Sequence, residues 1–464
     1  MKRFFLLLLA FIATPAAAQS LTADQIAQVD RIVTDKITAD GVPSASIAIV
    51  KDGKIVYAKA YGKQSDTMPV AKDDAPYQIA SISKQFAGAA ILILAGEGKL
   101  SLDDTVAKYV PGITDGDKIT IRQLLSHTSG LQDYWPQDYS FKAMATPVTP
   151  MGILDRWAKK PLDFEPGTQW QYSNTGYVVT GLIVEKVSGQ KLLDFLKARI
   201  FKPLGITAYD QDKAIGPGFP QGYGRHALGP VRVEPPAAAG WLYAAGELSM
   251  SASDLAKWDI ARINRTILTP AQWDEQETPV LLKNGTDTHY GLGVSIRNLG
   301  GHPAIEHSGE AVGFISENIV FPKDRAAIVV LTNSWSSGAA SDIAGKLASF
   351  VLPPAATDAA TDAALAKTRT VLTQLSKGEL DRALLTDDAN YYFTPVAIGD
   401  YRDSLAPLGE LVSMTPTGPA RLRGGFVLRG YKLTYKDRTL NLSTFFEPGD
   451  NGRIEQFLVT PAGN

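Results

Sequence analysis

An α+β fold is predicted: one antiparallel sheet flanked by terminal helices, an inserted helical lobe, and a small C-terminal α+β domain. Three observations predict it. A helix-period segment and a hairpin open the chain, strands and a further helix return before residue 352, and helix patterns with long loops fill the stretch between. The economical assembly pairs strands from both ends in one sheet and leaves the middle as a lobe. The cleft between sheet and lobe is then the default site for a ligand.

The elements follow in order. Ile26, Val29, Ile32, Val33 and Ile37 recur at helical spacing, with Thr22 or Asp24 available as a cap. Ser44 to Val50 reads as a strand, Asp52-Gly53 as a hairpin turn, and Lys54 to Tyr61 as the returning strand. Late strands are expected over Tyr290 to Ile296, Gly313 to Phe321 and Ala326 to Leu331, then a helix over Ser341 to Leu352. Pro353-Pro354-Ala355-Ala356-Thr357 breaks the pattern, and residues 353–364 read as a linker. Beyond it, residues 365–464 read as a domain of their own. It has a helix from about Asp362 to Ser376 and meander strands at Phe426 to Tyr435, Thr439 to Phe446 and Ile454 to Val459. Its role is open.

Composition narrows the function. The chain has 464 residues, 45% of them hydrophobic and 20% charged, which describes a globular protein of more than one unit. Its net charge of -2 comes without a basic block, so no nucleic-acid partner is expected. Residues 1–18 carry Lys2 and Arg3, an apolar run from Phe4 to Ile12, and Ala16-Ala17-Ala18. That order describes a secretory signal peptide and predicts a periplasmic or secreted protein. The run is too short to span a bilayer, and no later segment is suited to do so. The absence of cysteine excludes disulfides, thiol catalysis and Cys-ligated metal.

Three motifs carry chemistry. In Ser81-Ile82-Ser83-Lys84, a serine and a lysine three residues apart open the apolar run Phe86 to Leu94. That spacing puts hydroxyl and amine on one helix face, where serine can act without a Ser-His-Asp triad. The pattern recurs at Ser188-Gly189-Gln190-Lys191, which reads instead as a helix end turning at glycine. Tyr172-Ser173-Asn174 offers a phenol to relay protons and an amide to hold a carbonyl. Alone, it reads rather as a turn with a tucked-in aromatic. His307-Ser308-Gly309 ends a strand along which a substrate can lie, with Gly309 allowing close approach. His289-Tyr290-Gly291 is a competing match, read as a strand start. His127 is read as a loop buttress. Tyr134 and Trp135 line the pocket or anchor their loop. Asp73-Asp74 and Asp103-Asp104 are solvated, with no histidine at metal-ligand spacing, and no metal is expected.

In this order the three motifs resemble the serine β-lactamase and penicillin-binding-protein superfamily. The branch is that of class C β-lactamases, D-Ala-D-Ala carboxypeptidases, D-aminopeptidases and related esterases. Leu124-Leu125-Ser126-His127-Thr128-Ser129-Gly130-Leu131, Glu165-Pro166-Gly167, Ser253-Asp254-Leu255 and Tyr290-Gly291-Leu292-Gly293 strengthen the resemblance, which spans about Leu21 to Leu352. It implies a β-lactamase/transpeptidase-like domain over 19–352 that needs no cofactor. It implies Ser81 as nucleophile, Lys84 as activating base or as the cation that holds Tyr172 as phenolate, and Tyr172 as proton shuttle. Asn174 would hold substrate or Lys84, and the backbone N–H groups of Ser81 and Glu310 would hold the oxyanion. One departure matters. Class C β-lactamases carry Lys-Thr-Gly where this chain has His307-Ser308-Gly309, so a permanent anchor for a β-lactam carboxylate is missing. The expected substrate is a small molecule or peptide, cleaved at a D-amino-acid-type amide or an ester. Weak or narrow β-lactamase activity and non-catalytic binding of cell-wall fragments are the alternatives.

Overall fold

A computed structural model describes residues 20–352, 359–418, 420–449 and 451–462. The segment 1–18, read as a signal peptide, and the first part of the stretch read as linker lie outside the described residues. The chain forms two compact units, the second made of the chain after Pro353 together with residues Asn298–His302.

The first unit opens with helix α1 (Ala23–Asp40), capped by Thr22, whose side chain and that of Gln25 satisfy each other's backbone N–H groups. Strands β1 (Ser44–Lys51) and β2 (Lys54–Gly62) form the hairpin. The buried helix α2 (Lys84–Gly96) and helix α3 (Asn174–Ser188) belong to the lobe. The sheet is completed by β3 (Ser295–Leu299), β4 (His302–Ala311), β5 (Phe314–Phe321) and β6 (Ala326–Thr332), and helix α4 (Ala339–Val351) closes the unit. The sheet order is β2-β1-β6-β5-β4-β3. Both ends of the segment meet where β1 pairs antiparallel with β6, Ala48 opposite Val329. Every residue of β6 is buried, because α4 covers one face and the helix Ala252–Ile263 the other.

The prediction fails at one point in this sheet. Tyr290 to Val294 is no strand: Gly291 N–H donates to Val294 O at 2.8 Å, and pairing begins only at Ser295. Gly293 turns the chain at φ +89, and a Cβ there would lie 2.7 Å from Lys84 O. The apolar run is buried because it wraps over α2, not because it alternates in a sheet. The strand that replaces it is β4, which brings the closing strands to four.

Helix α2 sits at the centre of the core. Its residues Lys84 to Leu94 are all buried, and Phe86 packs on Phe201 and Trp258 with ring centroids 5.4 and 4.8 Å away. One buried polar group ties it to the sheet. Gln85 donates to Asn318 of β5 at 3.1 Å and accepts from Trp258 and Arg262 at 2.7 and 3.1 Å.

The second unit has its own core, including Val371, Leu375, Phe393, Leu433, Leu442 and Ile454. Its first helix runs Ala359–Ser376 and so begins inside the stretch read as linker. The three predicted meander strands are present, joined by short strands at Ser413–Pro416 and Arg421–Arg423. Two helices the sequence reading passed over, Asp387–Tyr392 and Pro395–Leu405, are capped by Thr386 and Thr394.

Candidate active site

The serine and lysine sit on a tight turn, not on a regular helix. Ala80 to Ser83 form one turn of 3₁₀ helix and α2 starts at Lys84. Ala80 takes φ +48, a left-handed conformation that alanine adopts at a cost of roughly 1–2 kcal/mol. The turn is pinned on both sides. Ile79 N–H donates to Leu248 O at 3.0 Å, and Ser83 Oγ accepts from Leu248 N–H at 3.2 Å.

Lys84 is fully buried and its Nζ has three neighbours: Ser81 Oγ at 2.9 Å, Asn174 Oδ1 at 2.8 Å and Ala245 O at 2.6 Å. Burial disfavours the charged form and lowers the pKa to about 7, against the opposing pull of Asp133. Two of the three neighbours are carbonyl oxygens, which only accept. They take the two N–H groups of a neutral amine and leave its lone pair facing the Ser81 hydroxyl. Asn174 is held in the required orientation. Asp133 accepts from its backbone N–H at 3.1 Å and from its side-chain Nδ2 at 3.2 Å, so Oδ1 is left for Lys84. Ser173 caps α3 behind it.

Tyr172 completes the group. Its ring lies 4.9 Å from Lys84 Nζ, and it lines the same cleft as Ser81. Burial pushes the phenol's pKa up, which keeps it protonated. The sequence-predicted Ser81, Lys84, Tyr172 and Asn174 therefore meet in one place. They open on a cleft of about 440 Å³, with His307, Ser308 and Glu310 of β4 on its far wall. Trp135 lines this cleft, while Tyr134 is an anchor, its buried hydroxyl donating to Trp241 O. Ser188 ends α3 with Gly189 as its left-handed cap, as expected.

The structure packs two of the expected site residues against the protein. His307 does not offer a free cation to the cleft. It is 5% exposed, and burial lowers its pKa to about 3. Its Nδ1–H donates to Ser308 O at 2.6 Å and its Nε2 meets Tyr290 Oη at 2.8 Å. Gly309 faces the protein, not a ligand: a Cβ there would lie 2.1 Å from Ile79 O. Its bareness lets β4 press against the turn that carries Ser81. Gly309→Ala is therefore expected to shift that turn and cut turnover about 100-fold in a folded protein, measured as kcat on an ester.

Tyr290, quoted above only within two short motifs and an expected strand, has a role in the site that the sequence reading missed. Its neighbour His289 is exposed, but Tyr290 is 3% exposed and joins two histidines. Ser173 N–H donates to His127 Nδ1 at 3.1 Å, so His127 carries its proton on Nε2 and donates to Tyr290 Oη at 3.3 Å. Tyr290 O–H in turn donates to His307 Nε2. The His127 ring packs 4.2 Å from the Tyr172 ring, so this chain backs the phenol. Burial also holds the His127 pKa well below its usual value. Tyr290→Phe orphans a buried donor and a buried acceptor, and denaturant unfolding is expected to show a loss of about 1–3 kcal/mol. No signal in the spacing marks Tyr290, because its partners are 163 and 17 residues away.

Comparison with known proteins identifies the family. Residues 29–351 match the Beta-lactamase family. Penicillin-binding protein 4* of Bacillus subtilis is 29% identical over 308 residues, 62% of this chain and 68% of that protein. Protein flp of Staphylococcus aureus strain N315 is 31% identical over 330 residues, which cover 68% of this chain and 64% of flp, just under two thirds. A solved D-stereospecific amidohydrolase from Streptomyces sp. superposes with a TM-score of 0.59 at 27% identity, over 68% of this chain and 96% of that one. The octameric penicillin-binding protein homologue from Pyrococcus abyssi shares the fold over 94% of this chain and 99% of its own, with a TM-score of 0.59 and 24% identity. No helix among the described residues is long and apolar enough to cross a membrane. With the family match spanning well over half its length, and with a serine and an amine in contact at the mouth of α2, the chain belongs to the Beta-lactamase family of serine hydrolases.

Proposed function

We propose that this protein is an exported serine hydrolase that cleaves a D-amino-acid-type amide or an ester through an acyl-serine. The observation that carries the reading is the 2.9 Å contact between Ser81 Oγ and a buried Lys84 Nζ whose pKa is lowered to about 7. As neutral amine, Lys84 takes the Ser81 proton while Oγ bonds to the substrate carbonyl carbon. Backbone N–H groups of Ser81 and Glu310 hold the resulting oxyanion. The proton passes by way of Tyr172 to the leaving nitrogen or oxygen as its bond to the carbonyl carbon breaks. Water then attacks the acyl-serine, returns the proton and frees Ser81. The raised Tyr172 pKa favours Lys84 over a tyrosine phenolate as the first base. Asn174 orients Lys84. The likeness to a D-stereospecific amidohydrolase supports the substrate class.

Residues 19–352 form the hydrolase domain in this reading, and 365–464 a separate domain whose partner is open. Neutral His307 leaves a β-lactam carboxylate without a cation, which disfavours efficient β-lactamase activity. The test is a fluorophosphonate probe followed by peptide mass mapping. One label per chain, on Ser81, is expected. A protein that stays unlabelled while folded overturns the reading in favour of a binding role.

A further inference from the structure

A cavity of about 290 Å³ lies apart from the Ser81 cleft and shares no lining residue with it. Its walls come from residues 65–67, 215–222 and 233–236 and from the tip of the β4–β5 hairpin. Hydrogen bonds lace these stretches together. Gly218 N–H donates to Thr67 Oγ1 at 3.3 Å, Gln221 N–H to Gln64 O at 2.8 Å, Glu234 N–H to Gly222 O at 2.9 Å and Tyr223 N–H to Gly313 O at 3.3 Å. Two glycines permit the closest approach: a Cβ on Gly313 would lie 2.4 Å from Gly222 Cα. The cavity is therefore formed without a ligand, as small-molecule sites largely are.

One buried side chain that lines it is unsatisfied. Gln78 is 4% exposed. Its backbone is engaged: it pairs with Ser249, and its carbonyl accepts from Ser316 Oγ at 3.3 Å. Its side-chain amide has no hydrogen-bond partner among the described residues, yet it is not sealed in the core and opens on the cavity. A buried amide without partners is costly, and a ligand that supplies them offsets that cost. The other lining residues narrow the ligand. Val312 and Phe314 are buried apolar walls, and Ile215 and Val233 form an exposed apolar rim. No arginine, lysine or histidine lines the cavity. Asp66 is paired with Lys63 at 2.6 Å, whereas Glu234 has no ion-pair partner among the described residues and turns anions away.

We propose that this cavity is a second ligand site, where Gln78 holds an uncharged amide and the apolar walls take its hydrocarbon arm. The glutamine side chain presents an acceptor and donors in one plane. The group that matches it carries both kinds in fixed geometry, as another amide does. A carboxylate offers acceptors alone and would face Glu234. The site is independent of Ser81 and stands whether or not the protein is a hydrolase.

The test uses the full chain carrying Ser81→Ala, so that no probe is turned over. N-acetylleucine N-methylamide is titrated by calorimetry beside N-acetylleucine, its carboxylate counterpart. Saturable binding of the amide is expected, with the carboxylate about tenfold weaker. Gln78→Met keeps the volume without the amide and should weaken the amide probe about fivefold. Val233→Trp, at an exposed rim position that leaves the core untouched, should block the cavity and abolish binding. A diazirine derivative of the amide, photolysed and mapped by mass spectrometry, should label residues 215–222 or 233–236. The proposal is overturned by a carboxylate that binds as well as the amide, or by amide binding that both variants leave unchanged. Label confined to the Ser81 cleft, or no saturable binding at all, overturns it equally.

Discussion

Ser81→Ala is expected to lower amide and ester turnover by about 10⁴-fold or more, to what binding and oxyanion contacts alone supply. The size follows from how completely the site converges on one atom. Lys84 donates to two fixed carbonyls, and its third position faces Ser81 Oγ. Tyr172 lines the cleft beside the same residue. Removing that oxygen leaves base and shuttle with nothing to act on, and the loss appears in kcat. Initial rates on a p-nitrophenyl ester and intact-mass analysis for the acyl adduct measure it. Retention of rate within about tenfold would mean that another group attacks.

The next largest effect is expected at Lys84. In wild type the amine must be neutral to accept the serine proton. Below its pKa of about 7 it is protonated and cannot accept, and above it the lone pair is free. Activity should therefore rise as pH climbs through about 7 and level off beyond. Lys84→Met is expected to lose about 10²–10⁴-fold and, with it, that acid limb. Lys84→Arg keeps a permanent cation and should be as inactive. Other buried groups titrate in the same range: Glu247 is raised to about 8, and Asp259 and Glu317 to about 7. None of them lines the cleft. An acid limb that persists unmoved in Lys84→Met would assign the titration to one of them instead.

What the sequence made legible was whatever depends on short spacing. Ser81 and Lys84 are one helical turn apart, and the hairpin at Asp52-Gly53 is local. The long-range sheet was also within reach, because β1, β5 and β6 are apolar strands of ordinary length. Strand β4 was harder. Pro303, Gly309 and four charged or histidine side chains hide it, although its burial alternates over much of its length. Tyr290 to Val294 was misread because a loop buried against α2 is as apolar as a strand. His307 lines the cleft, but spacing carries no information on burial, and burial decides its charge. The domain after the linker lost two helices to reading because their apolar faces are short. The threonine caps before Asp387 and before Pro395 were the available signal.

The hydrogen-bonded chain behind Tyr172 has a consequence for traffic of protons. It begins at a peptide N–H, that of Ser173, and ends at a peptide carbonyl, that of Ser308. Neither terminus can exchange donor for acceptor, so every imidazole and phenol between them is locked in one sense. Such a row cannot conduct; it works as an insulating strut. The phenol it supports is sealed from the rear, and whatever hydrogen ion it handles has to arrive and depart through the open front of the cleft.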